Sequence, residues 1–376
     1  MAAEYQVDTY PIFLEKAYYL IKHKSYFGMI VPSAWIASKF NEKLRKFLVS
    51  KVSLKNIVIA PKNAFANATV ETLILISNKV ETEETEFHVE RWDTDEKASY
   101  LINQNRISSQ NSYFFPVYSN PEAIKIIEKI NSSGVLLSKY ATAVWGVKIY
   151  QKGKGKPKQR GNESKLKTFH SSTKTKETHK PLLGGKEIRR YEVDWKGMYV
   201  DYGKWLAEPR TPNWFKGYRI LLREVTSKGI IQATIVTGEY VFSNSIDGIK
   251  LKDDERSLAF ILGIINSKLI SFNHLNTSAN AFKGAFPKLL IKDLLSIPVP
   301  AIDFSNVKDK SRHDKMVKLV DRMLELNKQL AKAKIVHDKT VLKRQIEATD
   351  SQIDQLVYDL YGLTKKEIEI VEGISK

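Results

Sequence analysis

Ten basic side chains crowd into one stretch of this sequence, namely Lys152, Lys154, Lys156, Lys158, Arg160, Lys165, Lys167, Lys174, Lys176 and Lys180, with only Glu163 and Glu177 set against them. Gly, Ser and Thr fill much of the space between. A segment of that composition has no apolar face, so it is expected to be a mobile loop until an anion orders it. The chain as a whole points the same way. Its 60 Lys and Arg exceed its 42 Asp and Glu, for a formal charge of +18. Clustered cations gain affinity by displacing counterions from a phosphate backbone, which makes nucleic acid the leading partner.

Other chemistries find less support. The histidines, at 23, 88, 170, 179, 274, 313 and 337, are scattered without the close pairing of a metal site, so no metal is assigned. Cysteine is absent, which rules out a disulfide framework and thiolate ligands and suits a reducing cytoplasm. No Ser, His and Asp grouping, paired carboxylate or nuclease motif stands out. Gly153-Lys154-Gly155 is not a nucleotide loop, because no buried strand leads into it and no helix leaves it. Asn120-Pro121-Glu122 reads as a helix N-cap followed by Pro at the first helical position. No apolar run reaches the length of a membrane span, and no targeting segment is visible.

The elements that must position these residues follow from periodicity. Phe13, Ala17, Leu20 and Ile21 recur at helical spacing, and Tyr26 to Pro32 is a short apolar strand. A second helix carries Leu44, Phe47 and Leu48 on one face, and strands at Lys55 to Ile59 and Val70 to Ile76 complete a half of a doubly wound α/β sheet. Such a half sheet exposes an edge strand and an apolar face, which a partner chain or an upstream segment should cover. Residues 81–134 turn polar and read as a connector, with one strand at Phe87 to Trp92. Residues 135–303 hold short strands rich in Trp and Tyr. Residues 304–376 make a helical hairpin: Met316, Leu319, Val320, Met323, Leu326 and Leu330 form one stripe, and Leu342, Ile346, Ile353, Leu356, Val357 and Leu360 the other. Thr364-Lys365-Lys366-Glu367 is a capping box opening a last short helix that Gly373 closes.

Three blocks carry a family resemblance: Asp8 to Ala17, Tyr26 to Pro32, and Ala64 to Ile76. Together they resemble the second half of the catalytic domain of the gamma-class adenine-N6 DNA methyltransferases of the type IIG restriction-modification group. Lys180 to Ile188, Tyr218 to Glu224, Leu262 to Leu269 and Phe286 to Pro300 resemble, in order, the TaqI-like C-terminal specificity domain of that group. Ile353 to Leu363 is similar to the C-terminal signature of its long members. The family's Gly-rich cofactor turn and Asn-Pro-Pro-Tyr motif occur nowhere in the chain.

The resemblance implies the fold class: the C-terminal half of a Rossmann-like methyltransferase sheet over residues 1–80, then an α+β specificity domain, then the hairpin. It also implies roles. Phe65 falls where the family stacks an aromatic on the flipped-out adenine, whose lost base stacking needs a flat apolar replacement. Phe13 falls where a phenylalanine meets the adenine of S-adenosylmethionine. The specificity domain would read double-stranded DNA in the major groove, with Arg189, Arg190, Arg210, Arg219 and Arg223 as candidates for phosphate or base contacts. The expected function is the C-terminal part of a site-specific adenine-N6 methyltransferase, inactive alone and dependent on an upstream segment or chain for S-adenosylmethionine binding. The alternative is a non-catalytic DNA-binding specificity subunit acting with a separate methyltransferase chain.

Overall fold

Apolar alternation and helical stripes resolve into elements where the sequence places them. The computed structural model describes residues 8–36, 41–61, 64–65, 70–80, 86–93, 98–108, 113–227, 229–252, 257–278, 281 and 287–373. Ala66 to Thr69, inside the third block quoted above, lie outside the described residues. The chain divides into two units, Met1–Ile127 with Asn276–Asn280, and Glu128–Leu275 with Ala281–Lys376.

In the first unit, helices α1 (Thr9–Leu20) and α2 (Glu42–Lys51) accompany strands β1 (Tyr26–Pro32), β2 (Ser53–Ile59), β3 (Thr72–Asn78), β4 (Glu86–Arg91) and β5 (Ala98–Asn103). The strands form one sheet in the order β1-β3-β2-β4-β5. Only β2 and β4 run parallel; the other neighbours are antiparallel. Leu14 of α1 and Leu44 and Leu48 of α2 share a core with Phe27 and Val31 of β1 and with Leu73 and Leu75 of β3. Side chains alternate across a strand, so Tyr26 and Ile30 point to the opposite face. There they stay 64% and 49% exposed. Among the described residues nothing pairs with the outer edge of β1.

The sheet runs on past residue 80. The polar stretch read from sequence as a connector supplies β4 and β5, with Phe87, Val89 and Ile102 in the core. In β4 two apolar positions between Glu, His and Arg are a weak period-two signal, and β5 buries a single side chain; tertiary pairing with β2 and β4 makes them strands nonetheless.

In the second unit, one four-stranded sheet orders its strands 241–242, 179–183, 199–201 and 170–171, and another orders 233–236, 219–223, 246–251 and 141–145. Aromatic and aliphatic side chains including Phe215, Leu221 and Phe242 fill the core against which Val147 and Ile149 pack. The helix Leu258–Asn266 is buried on every side. Each fully buried Leu or Ile contributes about 1.5–3 kcal/mol, so this helix is a central post of the unit. Against it lies the hairpin of Val307–Lys332 and Val336–Leu360, with Met316, Leu319, Val320, Met323 and Leu326 buried on one arm and Ile353, Leu356 and Val357 on the other. The capping box holds: Glu367 Oε2 accepts from the Thr364 amide at 2.7 Å. Asn120 likewise caps as expected, its Oδ1 accepting from the Ala123 amide at 2.8 Å.

Candidate nucleic-acid interface

The basic loop has a defined path, contrary to the expectation of a mobile segment. Its framework is a single neutral residue. Gln159 is 5% exposed, and its amide is fully engaged with the backbone: Oε1 accepts from Gln151 N at 2.8 Å, while Nε2 donates to Ile149 O and Trp205 O, both at 2.9 Å. Main-chain bonds brace the same turn, Gly153 N to Gln159 O at 2.9 Å, Gln159 N to Lys154 O at 2.8 Å and Lys156 N to Lys204 O at 2.9 Å. Gly155 has a φ of +84°, and a Cβ there would stand 2.3 Å from Trp205 O. Only glycine fits both constraints. Composition hid this order, because the loop is held by satisfied backbone groups instead of an apolar face.

The framework leaves its charges outward. Lys152, Lys154, Lys156, Lys158 and Arg160 are all exposed, and none is ion-paired among the described residues. Glu163 does not neutralise them with its side chain. Its carboxylate accepts from the Arg160 and Gly161 amides at 2.7 and 2.6 Å, bonds that hold its pKa below the usual carboxylate value. Further along, Lys176 pairs with Asp201 at 2.9 Å and Lys180 with Glu239 at 3.3 Å. Lys165, Lys167 and Lys174 are exposed without an ion-pair partner among the described residues, and the densest run of free charge is Lys152 to Arg160. Its root is aromatic: Tyr150 stacks on Phe169 and His170 with centroids 5.5 and 5.6 Å apart.

The five arginines part company. Arg219 is completely buried and donates to the carbonyls of Gly217, Gly238 and Tyr240 at 2.7, 3.1 and 3.2 Å; burial pulls its pKa down to about 10. Arg190 makes a bidentate pair with Asp350 at 2.6 and 2.7 Å and also donates to Asn266 O at 2.8 Å. Both guanidinium groups are thus engaged within the fold, where the sequence reading expected them to be free for phosphate or base contacts. Arg219 lies inside its sheet and Arg190 is held partly exposed against two helices; a guanidinium taken out of water must spend its donors locally. Arg210 pairs with Glu208 at 2.7 Å, and Arg189 with Asp194 at 3.0 Å while remaining about half exposed. Arg223 is partly exposed and has no side-chain partner among the described residues. Arg189 and Arg223 remain reachable.

In the first unit, Phe13 on α1 is 62% exposed and Phe65 is 45% exposed. Neither belongs to the core. Large aromatic rings left in solvent offer a flat apolar surface to a ligand or partner.

Residues 180–299 match the TaqI-like C-terminal specificity domain. That stretch is similar to a TaqI-like specificity domain. Residues 1–65 match the Eco57I restriction-modification methylase family, so the specificity domain follows methylase-related sequence. Over 379 residues the chain is 24% identical to RM.MjaORFECS2P of Methanocaldococcus jannaschii, named as a type II restriction enzyme and methyltransferase, covering 95% of this chain and 29% of that protein. It is 23% identical over 443 residues to the type II restriction enzyme and methyltransferase RM.Eco57I of Escherichia coli, covering 99% of this chain and 44% of the relative. The chain thus spans less than half the length of either relative. In fold it is similar to the type IIL restriction-modification enzyme MmeI, solved in complex with DNA, with a TM-score of 0.60 at 11% identity over 98% of this chain and 52% of that one. Both matches are to parts of restriction-modification proteins, and the basic loop immediately precedes the stretch that is similar to the specificity domain. Among the described residues no single helix is long and apolar enough to cross a membrane.

Proposed function

We propose that this chain is the C-terminal part of a site-specific adenine-N6 DNA methyltransferase, in which the specificity domain and its basic loop bind duplex DNA and the first unit completes a catalytic domain begun by an upstream segment or chain. The observation that carries the reading is the order of the two matches, methylase over residues 1–65 and specificity domain over 180–299, on a chain whose sheet ends at β1 with an outer edge unpaired among the described residues. A non-catalytic specificity subunit has no use for methylase sequence at its start, which disfavours that alternative. The open edge and the exposed Tyr26 and Ile30 beside it are the surface that an upstream methyltransferase segment would cover.

S-adenosylmethionine fits this chain only in part. Phe13 offers one exposed ring against which its adenine could stack, but the chain contains neither the Gly-rich turn that resembles the family's methionine-binding element nor Asn-Pro-Pro-Tyr. When bound, the cofactor supplies the methyl group; the contribution assigned to this chain is a stacking surface at Phe13, a base platform at Phe65 and the positioning of DNA. The purified chain alone is expected neither to bind S-adenosylmethionine nor to methylate DNA, and co-expression with a segment carrying the two missing motifs should restore both. Micromolar binding of the cofactor by the chain alone, measured calorimetrically, would overturn this assignment.

A further inference from the structure

The hairpin is charge-segregated along its length. Its anchored end mixes signs, with Asp309, Asp314, Asp321 and Glu325 on the first arm and Glu347, Asp350, Asp354 and Asp359 on the second. Between residues 326 and 346 the pattern changes. Lys328, Lys332, Lys334, Lys339, Lys343 and Arg344 face a single acid, Asp338. All six cations are exposed, and none has a carboxylate partner among the described residues.

An ordinary solvated hairpin would place Glu four residues from Lys, because such pairs stabilise a helix and like charges at that spacing destabilise it. Here Lys328 and Lys332 stand four apart on one arm, and Lys339 and Lys343 four apart on the other; of these four only Lys343 has an acid at that spacing, Glu347, and the two form no ion pair. The fold does not ask for these charges. Contact with the buried helix Leu258–Asn266 is made by the stripe centred on Met316 and Val320, and the second arm is pinned where Asp350 meets Arg190. Beyond that pin the residues from Val336 to Gln345 are exposed except Leu342. At the tip Ile335 and Val336 are 63% and 78% exposed.

We infer that the distal end of the hairpin is a second phosphate-binding surface, separate from the loop at Lys152–Arg160, which clamps duplex DNA without reading its sequence. Uncompensated lysines on two adjacent helical arms complement a polyanion, and binding one relieves their mutual repulsion. This inference rests on the DNA-binding reading given above. Its test uses the full chain, a fluorescein-labelled duplex of random sequence, and anisotropy titrations over a series of salt concentrations. Two variants are compared, Lys332, Lys334, Lys339 and Lys343 all changed to Gln in the hairpin, and Lys152, Lys154, Lys156 and Lys158 all changed to Gln in the loop. The hairpin variant should lose affinity for every sequence alike and shallow the salt slope by about 0.9 for each lost phosphate contact, and the two losses should add. The same four hairpin positions changed to Arg should bind like the parent, with circular dichroism confirming an intact helix in both.

If the loop variant loses affinity while the hairpin variant keeps the parent's affinity and slope, the hairpin inference is wrong and the DNA-binding reading stands. If the parent itself fails to bind the duplex, both are wrong. If the hairpin variant keeps its DNA affinity but changes sedimentation behaviour, the tip is an interface between protein chains and the inference is again overturned.

Discussion

Phe65 is the residue on which the proposed chemistry turns. In an enzyme reconstituted with its upstream segment, Phe65→Ala should lower methylation while leaving S-adenosylmethionine affinity nearly unchanged, since its proposed partner is the extruded base and not the methyl donor. Phe65→Trp should keep much of the activity, because a larger ring still covers the base. A fluorescent base analogue at the target adenine reports the stacking directly. A fall in activity that merely tracks a fall in melting temperature would make Phe65 structural, although its 45% exposure argues otherwise. At this scale the sequence was legible in type and blind to burial. Arg219 and Arg223 look alike in Tyr218 to Glu224, yet one is sealed beneath three carbonyls and the other reaches solvent. Nothing in the residue names distinguishes them, because they differ in what the next strand places over them.

Among the elements, the basic loop gives the cleanest separation of charge from shape. Gln159→Leu keeps every cation but leaves Gln151 N and Trp205 O without their bonds, at about 1–3 kcal/mol for each group so orphaned and buried, while Ile149 O keeps only its bond from the Ala207 amide. The expected result is weaker DNA binding with a shallower salt slope at unchanged net charge, because a loosened loop presents fewer lysines in register and must lose entropy on binding. A variant whose affinity drops with the slope intact would show that Gln159 holds something other than the phosphate contacts. The elements themselves were largely readable. β1 and the hairpin stripes appear where periodicity put them, since a single buried face imprints its period on the sequence. β4 and β5 were missed as sheet members because each buries only one or two apolar side chains. The loop's order was missed because a lone glutamine among lysines carries no periodic signal.

For the whole molecule, acidity is a readable variable. Asp247 is completely buried, and neither of its carboxylate oxygens has a hydrogen-bond partner among the described residues. Burial, reinforced by the nearby Glu224, pushes its pKa up to about 8. The unfolded chain releases this proton near the ordinary aspartate value of about 3.9, so between there and about pH 8 the folded state binds more protons than the unfolded one. Stability should therefore fall as pH rises through that window and level off above it. Asp247→Asn removes the titration. Thermal melts across the range should show the variant's melting temperature gaining on the parent's from about pH 4 to about pH 8, then running parallel. Curves parallel throughout would mean that Asp247 ionises normally in the folded protein.

The bond between Arg190 and Asp350 also bears on how the molecule is made. Arg190 leaves the ribosome 160 residues before its partner, and Asp354, which accepts from the Lys268 amide at 2.9 Å, comes later still. Until the second arm of the hairpin has been synthesised, the specificity domain holds a partly buried guanidinium with nothing to neutralise it, a state that is strongly disfavoured when one member of such a pair is missing. Completion of this unit thus waits on the second arm of its hairpin, and a nascent chain stalled before Asp350 would hold a domain that cannot yet close.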